Sequence, residues 1–365
     1  MRNMIVKEFG FSFGLSIICL VLAFWFGLTH GGIGAAFNFL LIAFILGLME
    51  VSLSFDNAVV NATVLKNMSP VWQQRFLTWG IFIAVFGMRF LFPIVIVAIV
   101  SGLGLGTVVN LAFTNGEQYG RYLEQAHVSI SAFGGSFLLL VFLKYLLDYE
   151  KEVHWFGGLE RRLASIGRLD TVQVLITGVL LLLAVQFLVQ DSYTPKEGGA
   201  VITGQKFTAL LSGLVGILTY IFVDGLSGLF DSDKIAATAG NAGLASFLYL
   251  EVLDASFSLD GVIGAFAITT EVIIISAGLT IGAAFVRSIT LLLVHTGTLA
   301  NFRYLEHGAH YGIGALATIM ILSLNRSIHI PELVTGLIGV GFIALSLYSS
   351  VQYNRRNKGL EQPAD

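Results

Sequence analysis

The sequence predicts an all-α polytopic membrane protein of about ten transmembrane helices with an inverted three-helix internal repeat. Three observations predict it. Hydrophobic residues make up 56% of the chain and charged residues 12%, with a mean hydropathy of +0.83, a balance that soluble domains with charged surfaces do not reach. Ten apolar runs are long enough for a bilayer core of about 30 Å, which takes about 20 helical residues. Two of those runs carry the same pattern of acids and serines.

The first run, near 11–28, follows Arg2 and Lys7 and ends in Thr29-His30-Gly31-Gly32. It has no small-x-small cleavage site, so it reads as a retained N-terminal span within 1–35 rather than a removed signal peptide. Runs near 36–61, 76–101 and 127–148 form the first repeat, 36–148. The linker region 149–239 starts with the densest charge in the chain, a cytoplasmic segment at 149–170. It then holds runs near 172–190 and 207–230, separated by an external loop at 191–206 with Pro195, Gly198 and Gly199. Runs near 240–267, 271–295 and 310–325 form the second repeat, 240–325. A last span near 332–352 and a tail complete 326–365.

Orientation follows from the basic residues. With the N-terminus in the cytoplasm, the cytoplasmic side collects Arg2, Lys7, Lys66, Arg75, Lys144, Lys151, Arg161, Arg162, Arg168, Lys234, Arg303, Arg355, Arg356 and Lys358, fourteen of the 20 Lys and Arg residues. The opposite side holds Arg121, Lys196, Lys206 and Arg326. The positive-inside rule therefore puts both termini in the cytoplasm.

The repeat rests on three matches in one order. Glu50-Val51-Ser52-Leu53-Ser54-Phe55-Asp56-Asn57 and Asp254-Ala255-Ser256-Phe257-Ser258-Leu259-Asp260-Gly261 share acid-x-Ser-x-Ser-apolar-Asp. Gly80 precedes Arg89 by nine residues, as Gly278 precedes Arg287. Arg121-Tyr122-Leu123-Glu124 is echoed by Arg303-Tyr304-Leu305-Glu306, each with a histidine just beyond, His127 and His310. The two acidic spans are five spans apart, and an odd offset sends them through the bilayer in opposite directions. Inverted repeats of this kind recur in secondary transporters, with the ligand near the midplane between the halves.

Ionised groups at the bilayer centre cost roughly +2.5 to +3.5 kcal/mol each on insertion scales unless they find a partner or a polar cavity, so Glu50, Asp56, Asp254, Asp260, Arg89 and Arg287 mark an ion pathway. Glu50 and Asp56 are six residues apart, about 120° around a helix. Ser54 stacks over Glu50 and Ser52 over Asp56, which widens the oxygen-bearing sector, as Ser256 and Ser258 do in the second copy. Full convergence calls for a kink or local unwinding, which Gly47 in the first copy and Gly261 with Gly264 in the second permit.

Oxygen donors without thiolate suit hard divalent cations such as Mn²⁺, Ca²⁺ or Mg²⁺. The single cysteine, Cys19, makes neither a disulfide framework nor a thiolate site within one chain. Glu50, Asp56, Asn57, Asp254 and Asp260 are the expected ligands, with Arg89 and Arg287 balancing charge when the site is empty. Ser52, Ser54, Ser256, Ser258 and Asp224 are candidate pathway residues. Protonation of the remaining carboxylates would couple transport to a proton gradient. Asp231 and Asp233 receive no role, and His127 and His310 read as local hydrogen-bonding groups near a membrane boundary. A net charge of -3 without a basic patch excludes nucleic-acid binding.

These residues resemble the TerC family of integral membrane proteins, in the LysE-type transporter group. The first TerC motif is similar to Glu50 to Asp56-Asn57, and the second to Asp254 to Asp260 followed by Ala267-Ile268-Thr269. The resemblance covers about 36–148 and 240–325. It departs at Gly261, where the family has Ser or Thr, and at Gly264, where Pro is common. It implies a bacterial inner-membrane protein concerned with manganese export and metal-ion homeostasis.

The expected function is thus a secondary transporter exporting a divalent metal, Mn²⁺ or Ca²⁺, with no resident cofactor and with the bilayer and the metal ion as partners; a homo-oligomer is compatible with it. The alternative is a membrane scaffold in tellurite or envelope-stress resistance, in which the acids would be replaceable. An enzyme is not expected. An intramembrane aspartyl protease would need Tyr-Asp and Gly-x-Gly-Asp motifs, which Phe55-Asp56 and Leu259-Asp260 do not supply.

Overall fold

A computed structural model describes residues 2–80, 82–167, 171–192, 202–231, 241–296, 302–328 and 330–358. Six helical stretches among them are long and apolar enough to cross a membrane: Glu8–Leu53, Pro70–Ile99, His127–Leu146, Gln205–Gly225, Val272–His295 and Val334–Arg356. The expected run at 172–190 is shorter, a helix over Val172–Phe187.

Helix α1, Arg2–Leu53, is two limbs joined at Gly32, whose φ of 73° lies in the left-handed region that glycine adopts without cost. The limbs fold back on each other, bringing Phe24 to Phe37 at 5.3 Å and Phe26 to Phe39 at 5.8 Å. Phe11, Phe13, Ile17, Ile18, Val21 and Leu22 point outward while Ser12 and Ser16 are buried. Apolar outside and polar inside is the arrangement a hydrocarbon surrounding requires.

After a break at Ser54 comes α2, Phe55–Leu65, then α3, Pro70–Arg75. Two π-wound segments follow, Phe76–Gly80 and Ile83–Leu91, before α4, Phe92–Ser101. Two short helices that the apolar-run reading did not foresee, α5 (Leu105–Thr114) and α6 (Gly116–Gln125), pack beside α4 and lead into α7, His127–Leu146. Ten residues are too few to register as a span.

Helix α8, Gly158–Ile166, lies in the charged linker. It is followed by α9 (Val172–Phe187), α10 (Gln205–Asp231), α11 (Asn241–Ile268), α12 (Val272–His295), α13 (Leu305–Leu322) and α14 (Glu332–Lys358). The main apolar core lies where α7, α10 and α13 meet, around Phe137, Leu138, Leu140, Leu181, Ile313 and Ala317.

Two helix pairs run antiparallel. The end of α7 meets the start of α13, with Tyr145 stacked on His310 at 3.8 Å and Phe142 against Tyr311 at 5.6 Å. At the other end Arg326, just past α13, donates to the carbonyls of Glu124 and Gln125, just before α7. Along the α1–α2 and α11 pair, Glu50 lies at Gly261 and Asn57 at Asp254, so one chain ascends as the other descends.

The linker is fastened by Glu160, which is fully buried. Its carboxylate accepts from the N–H groups of Trp155 and Phe156 at 3.1 and 3.2 Å and from the Tyr311 hydroxyl at 2.8 Å, with the Lys151 ammonium 3.6 Å away. Burial works against its charge, but the Tyr311 and Phe156 hydrogen bonds and the Lys151 charge hold the Glu160 carboxyl below the ordinary glutamate range.

Candidate functional site

The site is built on Arg89, in the middle of an apolar helix. The segment Ile83–Leu91 is wound with π spacing, as the Phe92 N–H bonded to the Gly87 carbonyl records. Such winding is frequent where a helix serves a site. It leaves the Ala84 carbonyl within reach of Arg89 Nη1, which donates to it at 2.8 Å. Arg89 Nη2 donates to Glu50 Oε1 at 2.6 Å, and Nη1 lies 3.8 Å from Asp254 Oδ2. One guanidinium therefore faces the leading acid of both motif copies.

Neighbouring side chains knit the copies together. The Ser54 hydroxyl donates to Glu50 Oε1 at 3.1 Å, as the helical stacking predicts. Asn57 Nδ2 donates to Asp254 Oδ1 at 2.8 Å. Glu50, Asn57 and Arg89 are all buried. A buried pair of this kind is a modest source of stability when intact, but stripping away one partner leaves an uncompensated charge, at a cost of about 3–5 kcal/mol.

Glycines make the room. A Cβ on Gly261 would lie 2.5 Å from Glu50 Oε2, and one on Gly282 would collide with the Glu50 side chain. Gly261 was expected to permit a kink in α11. Instead α11 runs as one helix over Asn241–Ile268, and Gly261 serves as the notch into which Glu50 fits. The break that does occur is at Ser54 in the first copy, where φ is -102° and ψ 15°.

Beside this network is a cavity of about 40 Å³, larger than the ~10–15 Å³ a water needs. Asn61, Gly80, Arg89, Glu251, Asp254, Arg287 and Thr290 are among its walls. Arg287 thus reaches the same cavity as Arg89, and its guanidinium also stands 4.9 Å over the Phe11 ring.

Other expected residues fall differently. The Ser52 and Ser256 hydroxyls each bond a carbonyl of their own helix, of Leu48 and Val252, both at 3.0 Å. Asp224 pairs with Lys144 and is not among the residues lining the cavity. The side chains of Asp56, Ser258, Asp260 and Asp231, and all of Asp233, lie outside the described residues. Among the described residues no three His, Cys, Asp or Glu side chains come together as a metal-ligating group. His310 bonds the Glu306 carbonyl at 2.9 Å, the local role expected of it.

Glu251 and Asn61 escaped the sequence reading. Glu251 sits one turn before Asp254 and Asn61 one turn after Asn57, the spacings that share a helix face, and that was the available signal. The repeat concealed it, because the position matching Glu251 in the first copy is Gly47.

The family described as "Protein of unknown function (DUF475)" matches residues 55–357, and the chain belongs to that family. No curated protein and no solved structure matches it.

Proposed function

We propose that this member of DUF475 is a secondary transporter that exports a hard divalent cation, Mn²⁺ foremost, across a bacterial inner membrane. In this reading the chain crosses the bilayer about ten times with both termini in the cytoplasm, and its two halves are inverted repeats of three spans. The antiparallel course of α7 against α13, and of α1–α2 against α11, supports that symmetry. The TerC-like motifs support the cargo.

The observation that carries the reading is the meeting of Glu50 and Asp254, one from each motif copy, at Arg89 beside a cavity. A transporter for divalent cations must hold its carboxylates stably between cargoes. Arg89 does so by neutralising them, and an arriving cation of two charges competes with one guanidinium for the same oxygens. Asp56, Asp260 and Asn57 complete the ligand set, with Arg287 as the second balancing charge. Alternating access by rocking of the halves then carries the ion across.

Metal sensitivity of cells provides the test. Cells expressing Asp56→Asn or Asp260→Asn at normal levels should lose manganese resistance. Resistance kept at the level of the unaltered protein would mean that the acids are replaceable, as they would be in a scaffold.

A further inference from the structure

Glu251 is 6% exposed and Asn61 4%, so both are more than nine-tenths buried. Among the described residues Glu251 Oε2 and Asn61 Oδ1 have no hydrogen-bond partner, and Asp254 Oδ2 has only the 3.8 Å approach of Arg89. All three side chains line the same cavity. Buried oxygens without donors are costly, roughly 1–3 kcal/mol each, and native structures rarely keep several together without something to satisfy them.

The charge in the cavity decides what satisfies them. Among the described residues the cavity walls carry the Glu251 and Asp254 carboxylates and the Arg89 and Arg287 guanidinium groups, with Glu50 paired to Arg89 and Glu8 acting on Arg287. Arg89 is already engaged by Glu50 and the Ala84 carbonyl. An anion would meet two carboxylates; a cation would meet three open oxygens. Gly80 fits the same picture, since a Cβ there would lie 2.9 Å from Glu251 Oε1.

We infer that Glu251, Asp254 and Asn61 form a binding site for a hard divalent cation in this cavity, with water completing the shell. Two carboxylates, one amide carbonyl and retained waters are the donor set such ions accept. The site rests on the transport reading and adds to it Glu251 and Asn61, which belong to neither acidic motif. It gives the cation a station that shares only Asp254 with the two acidic motifs.

Mn²⁺ binding to the full-length protein in lipid nanodiscs, followed by the free-ion resonance signal, tests the assignment alongside Mn²⁺ flux in vesicles. Glu251→Gln should weaken binding about 10-fold or more. Gly80→Ala, which keeps every charge and crowds Glu251, should weaken it severalfold, and it decides the matter if Glu251→Gln does not fold. Flux by the unaltered protein together with undiminished Mn²⁺ affinity in the folded variants would overturn the cavity site alone. Absence of both binding and flux of Mn²⁺ and Ca²⁺ in the unaltered protein would overturn the transport reading, and this site with it.

Discussion

In the first motif copy the helix that carries Glu50 is interrupted at Ser54 and the next is π-wound around Arg89, whereas in the second copy α11 and α12 pass Asp254 and Arg287 as unbroken helices. The irregular copy supplies the centre of the network and the regular copy supplies a carboxylate that reaches it. Within the π-wound segment the Ala84 carbonyl also accepts from the Arg89 guanidinium, so the arginine is held by backbone as well as by acid. Two arginines at matching places in the sequence therefore have unlike surroundings: Arg89 is buried between two carboxylates, and Arg287 is half-buried over Phe11.

The largest expected difference between the copies is at those arginines. Arg89→Ala should cost about 3–5 kcal/mol, because Glu50 and Asp254 lose their counter-charge. Arg287→Ala should cost less than that, because Arg287 is half-buried over Phe11 with Glu8 acting on it rather than buried between two carboxylates. Thermal unfolding of both variants in the same detergent checks the ranking, and equal losses would erase the distinction.

The notch for Glu50 comes next. Gly282→Ala should destabilise by about 1–3 kcal/mol through overpacking against that side chain. The same melt measures it, and a variant as stable as the original would mean that α1 and α12 separate without cost.

Glu160 is a carboxylate of equal depth that lies outside the six stretches long and apolar enough to cross a membrane. Glu160 is held below its ordinary range, so its contribution is present above the unfolded value of about 4.3 and is lost as pH falls through the lower folded one. Proteolysis of 149–170 should stay slow from neutral pH down to about pH 5 and quicken only in stronger acid. Glu160→Gln should be cleaved quickly even at neutral pH.

The smallest effects separate the serines. Ser54→Ala removes a hydrogen bond to Glu50 and should cost about 1 kcal/mol. Ser52→Ala and Ser256→Ala only release bonds within their own helices and should stay within about 0.5 kcal/mol of the original.

What was legible in the sequence was whatever leaves a period or a charge in an apolar run. The helical class and the cluster of Glu50, Asn57, Arg89 and Asp254 follow from that alone. So does the contact of Ser54 with Glu50. The π winding at 76–91 was not legible, because one extra residue per turn disturbs no apolar pattern when every neighbour is apolar. Nor was the short α5. Glu251 was hidden by a different cause: reading the chain as two matched copies directs attention to what the copies share, and Glu251 faces a glycine in the comparison. Gly261 was read for the bend it permits, while its use is the space it leaves.

The central claim is that acids from the two motif copies jointly hold a hard divalent cation on its way through the membrane. Flux of Mn²⁺ against Ca²⁺ in sealed vesicles, with the unaltered protein and with a folded Asp254→Asn variant, tests it most directly. Transport of Mn²⁺ by the first and its loss in the second is the predicted result; no flux of either ion by the unaltered protein, or undiminished flux by the variant, would contradict it.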